Sequence, residues 1–278
     1  MKFIDINMLE NENIKKIRLK AYTWDELMGD KTILYEAICD LLLNNENLFY
    51  YATQKESTKT LKDTRLYVKK LIDKGIIDSR IEDVFRFIGW DKEELNIENS
   101  TFQGDLAEYL MSILIDRVTN IDTLISKISL KTSPKMPSYM NDNIYYDYEN
   151  EIFYYGEAKF YRSLTAAINR AKESLTEHAN VLEFSYIKTH DNVIIAKDDA
   201  KKINIVETLE EKSMDEVTIK SVSFIVNDDV YLKKDYERII ENSFGTIEDV
   251  EIKSAEMIMI FLPILSKDEF LKYFRSRL

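Results

Sequence analysis

The alternation of apolar and polar positions divides the chain into a helical first third and a mixed remainder. Between Thr32 and Tyr51, residues Ile33, Ala37, Ile38, Leu41 and Leu42 recur at helical spacing. Leu61–Lys74 repeats the pattern with Leu66, Val68, Leu71 and Ile72, and Gly75 follows where a C-cap glycine belongs. A third short helix is predicted near Ile81–Gly89. Residues 1–99 thus read as a mostly helical N-terminal region. After Asn99 the texture changes. Phe102–Val118 is apolar almost all round, the mark of a helix buried on several sides. There follow an extended segment (Leu124–Lys131), a polar loop (Thr132–Asn141), a hairpin (Asp142–Phe160) and a helix (Arg162–Ala179). Two more strands, Val217–Val226 and Val250–Leu262, and a closing helix, Lys267–Arg277, complete the chain. That order predicts an α/β fold with a mixed sheet over residues 100–278.

Composition narrows the class. With 45% apolar and 32% charged residues, six glycines and three prolines, the chain has an ordinary globular balance rather than a disordered one. The longest apolar run, Met257–Leu265, is interrupted by Pro263 and is too short to cross a bilayer. Met1–Leu9 lacks the basic and apolar blocks of a secretory signal, and Cys39 has no second cysteine to pair with. The expectation is a cytoplasmic protein with no membrane attachment. The net charge of −12 argues against a broad nucleic-acid-binding face. The acid is uneven, however: residues 123–175 carry six acidic and seven basic side chains, against 20 and 14 in residues 181–278. A near-neutral segment inside an acidic protein fits weak DNA binding, restraint by a partner, or no nucleic acid at all.

The hairpin carries the chemistry. Aromatic and β-branched residues flank the polar turn Glu149-Asn150-Glu151. With a two-residue loop at Glu149-Asn150, paired residue numbers sum to 299 and Glu157 lies opposite Asp142. Glu157 and Lys159 then share a face with Asp142, and an odd-length loop would bring Asp147 there instead. Two adjacent carboxylates repel unless a cation joins them, and magnesium favours one or two carboxylates with water and phosphate oxygens. A lysine two residues after the glutamate can position water and stabilise charge developing on phosphorus. Glu108 is the acid in the middle of the apolar helix, and its burial demands a partner. Gly156 permits close approach just before Glu157. An E-x-K on a strand is by itself more often a solvated face, so the ordered set of charges makes the case.

This set resembles the PD-(D/E)xK nuclease superfamily, in which a helix Glu, a strand Asp and an E-x-K strand surround a metal. More narrowly, Gly104-Asp-Leu-Ala-Glu108, Lys131-Thr-Ser-Pro-Lys135 and Gly156-Glu-Ala-Lys-Phe-Tyr161 resemble the HamA family, nuclease subunits of the Hachiman anti-phage defence system. These motifs span about residues 100–180. The resemblance implies a PD-(D/E)xK restriction-endonuclease-like core over 100–278, with its mixed central sheet flanked by helices. It implies catalytic roles for Asp142, Glu157, Lys159 and Glu108, and Mg2+ (or Mn2+) held by Asp142 and Glu157. It further implies double-stranded DNA as substrate and a HamB-like helicase subunit as partner. The family shows a glycine and an aromatic residue just before its Asp, whereas Tyr139-Met140-Asn141 precede Asp142 here.

Lys131, Lys135, Arg162 and Lys172 flank the site and could touch phosphates, with solvated faces as the alternative for each. Arg170 and Lys172 cannot both face the site from one helix, since two residues subtend about 200°. The hairpin tyrosines read mainly as sheet packing. The chain has no G-x-x-x-x-G-K-[ST], so an ATP-driven step would come from a partner. Against the deoxyribonuclease stand two other readings: a non-enzymatic protein-binding module, and an RNA-directed nuclease of the same fold.

Overall fold

A computed structural model describes residues 3–9, 16–22, 31–44, 96–126, 142–178, 216–231, 233–244 and 256–278, with a few isolated positions between them. The predicted helices at Leu61–Lys74 and Ile81–Gly89, and the loop at Thr132–Asn141, lie outside the described residues. The elements in order are β1 (Phe3–Leu9), β2 (Lys16–Tyr22), α1 (Lys31–Leu42), α2 (Ser100–Val118), β3 (Asp122–Ser126), β4 (Asn143–Asp147) and β5 (Ile152–Phe160). They continue as α3 (Leu164–His178), β6 (Thr218–Asn227), α4 (Lys233–Phe244), β7 (Glu256–Pro263) and α5 (Lys267–Arg277).

The strands form one mixed sheet of order β1-β2-β7-β6-β5-β4-β3. β2, β7, β6 and β5 run parallel, while β1, β4 and β3 attach antiparallel to their neighbours. The predicted α/β architecture with a mixed sheet between helices is what the structure has.

The N-terminal region departs from its helical expectation. It opens with two strands, and β2 pairs with β7 of the C-terminal half, so the sheet draws on both parts of the chain. The sequence carries a reason: Ile17, Leu19 and Ala21 alternate with Lys16, Arg18 and Lys20, a period of two. α1 answers to the predicted Thr32–Tyr51 helix over the residues described. α4 has no counterpart among the predicted elements, although Tyr236, Ile239 and Ile240 stand at helical spacing.

Each face of the sheet has its own core. On one, Leu106, Leu110 and Met111 of α2 and Phe270 and Phe274 of α5 pack against Tyr154, Ala158, Phe224 and Ile260. On the other, Leu164, Ala167, Ile168 and Leu175 of α3 meet Ile225, Met259 and Phe261, with Tyr236 and Ile240 of α4 alongside. β7 is apolar at successive positions because both its faces are covered, as expected of an inner parallel strand. Burying each large side chain of this kind contributes about 1.5–3 kcal/mol.

Candidate active site

Strand pairing brings the hairpin charges together. Paired residues run from Asn143↔Gly156 to Asp147↔Ile152, each pair summing to 299 as expected. The loop, however, holds four residues, Tyr148–Glu151, not two. Asp147 organises it, accepting hydrogen bonds from the N–H groups of Glu149 (3.0 Å) and Asn150 (3.1 Å) and from Asn150 Nδ2 (2.8 Å). Glu151 closes it at φ 54°, in the left-handed region. An even loop preserves the side-chain parity, so Asp147 stays with the turn.

The ladder slips by one residue at Asp142. Its N–H donates to the Gly156 carbonyl at 3.0 Å, where strict register would place Glu157 opposite. The Asp142 side chain then reaches across to β5: Ala158 N–H donates to Asp142 Oδ2 at 2.7 Å. Ala158 is the middle residue of the E-x-K, so the third charge is pinned to the amide between Glu157 and Lys159. Asp142 and Glu157 are 4% and 3% exposed, which makes this a buried pair of carboxylates.

Lys159 answers them. Its ammonium pairs with Glu157 and lies partly buried. Burial presses its pKa down, but the charges of Glu157 and then Asp142 outweigh that, and the group is held above the ordinary lysine value.

Glu108 comes from α2. Two hydrogen bonds fasten that turn of the helix to the start of β4: Asn143 Nδ2 donates to the Glu108 carbonyl (3.1 Å), and Ser112 Oγ reaches Asn143 Oδ1 (3.1 Å). Sequence reasoning passes over Asn143, next to Asp142; an asparagine beside a candidate acid is the available signal. Gly156 fits the same seam. A Cβ there would come within 2.6 Å of Met111 Cε and Tyr145 Cε2. The close approach that the glycine permits is thus helix and ring packing rather than a ligand.

Glu108, Asp142, Glu157 and Lys159 all line one cavity of about 1100 Å³. α2 forms one wall through Ser100, Gln103 and Gly104, and α5 forms another through Asp268, Leu271 and Lys272. Arg162 also lines it, exposed and paired with Asp268 at 2.6 Å. Lys172 does not join them. Its ammonium donates to the Ser243 carbonyl (2.8 Å), tying α3 to α4, and burial lowers its pKa. Lys131 and Lys135 lie outside the described residues.

Sequence reasoning misses Lys267. It lines the cavity, and its Nζ donates to the Phe160 carbonyl (2.9 Å) and lies 4.7 Å from the Phe160 ring centre. Burial lowers its pKa, against the opposing pull of Asp228. Nothing in the local sequence joins position 267 to position 160; the pairing of β6 with both β5 and β7 does.

Among the described residues no helix is long and apolar enough to cross a membrane. No curated protein matches the chain. A model of the HamA family matches residues 2–278, essentially the whole chain, and with it the chain belongs to the HamA family of Hachiman anti-phage defence proteins.

Proposed function

We propose that this protein is a magnesium-dependent deoxyribonuclease with a PD-(D/E)xK-like core, the effector subunit of its defence complex. The observation that carries the reading is the Asp142 carboxylate seated on the Ala158 amide, between the two charged residues of the E-x-K. Such an arrangement concentrates buried negative charge at a cavity large enough for a phosphodiester.

The donor set fits a hard cation with few protein ligands. Among the described residues no three acidic, histidine or cysteine side chains already form a metal cage. Zinc, which takes three or four such ligands, is poorly served; magnesium, which keeps waters and substrate oxygens, is well served. Asp142 and Glu157 would hold it, and manganese accepts the same oxygens. When bound, the ion supplies Lewis acidity toward a phosphoryl oxygen.

The remaining work falls to the chain's own residues. Lys159, whose ammonium stands beside both carboxylates, orients the attacking water and stabilises the negative charge that grows on the phosphoryl group. Glu108 accepts a hydrogen bond from water entering the cavity. The water oxygen bonds to phosphorus as the bond to the departing sugar oxygen breaks; the water's proton passes to the Glu108 carboxylate, and the departing oxygen takes a proton from solvent in the cavity.

Double-stranded DNA as substrate and a helicase subunit as partner are supported by family membership. The missing phosphate-binding loop agrees, since any ATP-driven unwinding would then fall to a second subunit. The net charge of −12 favours instead a protein-binding module without enzymatic activity. One digestion separates these readings. Purified protein should cut plasmid and linear duplex with magnesium, stop with EDTA, and leave matched RNA intact. Glu157→Ala and Lys159→Ala should each lower the rate about 100-fold or more. Variants that cut as fast as the parent would remove these residues from the mechanism, and a parent that never cuts would favour the binding module.

A further inference from the structure

The cavity has two chemically different sides. Asp142, Glu157 and Glu108 make one side acidic. Arg162, from the turn before α3, and Lys267 and Lys272, from the first turns of α5, make the other predominantly basic, with Asp268 among them. The two sides meet on β5: Lys159 belongs to the acidic cluster, and Lys267 is anchored to the carbonyl of the next residue, Phe160.

The three basic groups are committed differently. Lys267 is held by a neutral carbonyl and an aromatic ring, so its position is fixed; Asp228 and Asp268 act on its charge, but it forms no ion pair with either among the described residues. Lys272 is exposed, and after the Arg162 hydrogen bond its charge, like that of Lys267, helps hold the Asp268 carboxyl below its ordinary value without forming an ion pair among the described residues. Arg162 is the exception, bound by Asp268 from the opposite wall. A carboxylate holding a guanidinium in this way occupies the donors that a phosphate would take.

We infer that Arg162, Lys267 and Lys272 form a second subsite of the cavity that grips a backbone phosphate of DNA beside the one being cut, with Asp268 occupying Arg162 until the nucleic acid displaces it. The inference rests on the nuclease reading of the acidic side. It accounts for how a protein of net charge −12 could hold a polyanion: a local basic wall replaces a basic surface. The division of labour is physical. Cations beside the cleavage point fix the register of the backbone, and the acidic side performs the chemistry.

The test is binding without cutting. A fluorescein-labelled duplex of about 20 base pairs is titrated with the full chain, calcium replacing magnesium, across a series of salt concentrations. Lys272→Gln, Lys267→Gln and the double variant are compared with the parent, each checked for an unchanged melting temperature. The double variant should bind about tenfold more weakly near 0.1 M salt, and its log–log salt slope should fall by about 0.9 for each phosphate no longer neutralised. Asp268→Asn should act in the opposite sense, tightening binding about two- to fivefold by freeing Arg162. A purely structural role for α5 would give neither the shallower slope nor the gain. Should Lys267→Gln lower the melting temperature, Lys272→Gln and Asp268→Asn carry the decision. Magnesium-dependent cleavage by the parent is measured alongside. If the parent cuts while every variant binds with its affinity and slope, the subsite is wrong and the nuclease stands; if the parent neither binds nor cuts, both fall.

Discussion

Two helices cover β5 from opposite sides of the sheet, and they do so differently. α3 turns Leu164, Ala167, Ile168, Ala171 and Leu175 inward and leaves Thr165, Ala166, Arg170 and Glu173 exposed. Its buried set is apolar and sits on one stripe. α2 is buried nearly all round, and its buried set includes Asp105, Glu108 and Ser112. Burying a polar group costs several kcal/mol unless hydrogen bonds or charges compensate it. Stability alone would favour the α3 solution on both faces. α2 holds polar groups because it must do two things: pack against β5 and deliver a carboxylate to the cavity, through the turn fastened by Asn143.

The sharpest way to break this contrast is to damage the buried apolar stripe of α3, the face turned away from Ala166 and Ser174, through which that helix lines the cavity. Ile168→Ala on α3 removes a side chain with no exposure from an apolar layer. It should destabilise the fold by about 2–5 kcal/mol. The measurement is a urea midpoint at unchanged m-value, with magnesium-dependent cleavage assayed well below the transition. Cleavage per folded molecule should match the parent. A selective loss of activity would mean that α3 contributes more than packing.

A smaller effect is expected where α2 meets the hairpin. At Gly156 an added methyl would press on Met111 Cε and the Tyr145 ring, both at 2.6 Å. Met111 can swing away, while the ring is held in the core, so Gly156→Ala should cost about 1–3 kcal/mol. Glu157 is the next residue along. A shift of the strand there should lower cleavage as well as stability, which Ile168→Ala does not. Parallel urea and cleavage measurements on the two variants compare the faces directly.

The parts of this architecture legible in sequence are those set by local chemistry. Closing helix α5 runs over Lys267–Arg277 as predicted, capped by Ser266, whose Oγ accepts from the Glu269 N–H (3.4 Å). The hairpin register follows from aromatic alternation around a polar turn, although the four-residue loop needs the Asp147 side chain to explain it. α4 escapes because its apolar stripe is narrow in a strongly charged segment. Strands β1 and β2 escape because their alternation is brief beside the helical texture that follows. The basic wall is not legible in any local pattern. Lys267 reaches Phe160 across 107 positions of chain, and a contact of that kind exists only once the parallel strands are in order.

The smallest effect, and one of opposite sign, is expected at Gly104. It lies inside α2 and lines the cavity, yet a Cβ built there meets nothing within 4 Å. Glycine within a helix costs about 0.8–1 kcal/mol relative to alanine, so packing gives no reason to keep it. Gly104→Ala should therefore stabilise the fold, by about 0.5–1 kcal/mol, seen as a higher urea midpoint. What the glycine does provide is a bare stretch of α2 along the cavity wall, and under the proposed nuclease activity a sugar-phosphate chain would lie against it. A larger residue separates the two roles. Gly104→Leu should keep the helix while filling the cavity wall, and cleavage should fall through a raised KM more than through a lowered kcat, since the reacting groups are left in place. If Gly104→Leu cuts DNA with the parent's KM, that wall does not touch the substrate, and the difference between α2 and α3 narrows to Glu108 and the bonds that fasten its turn to Asn143.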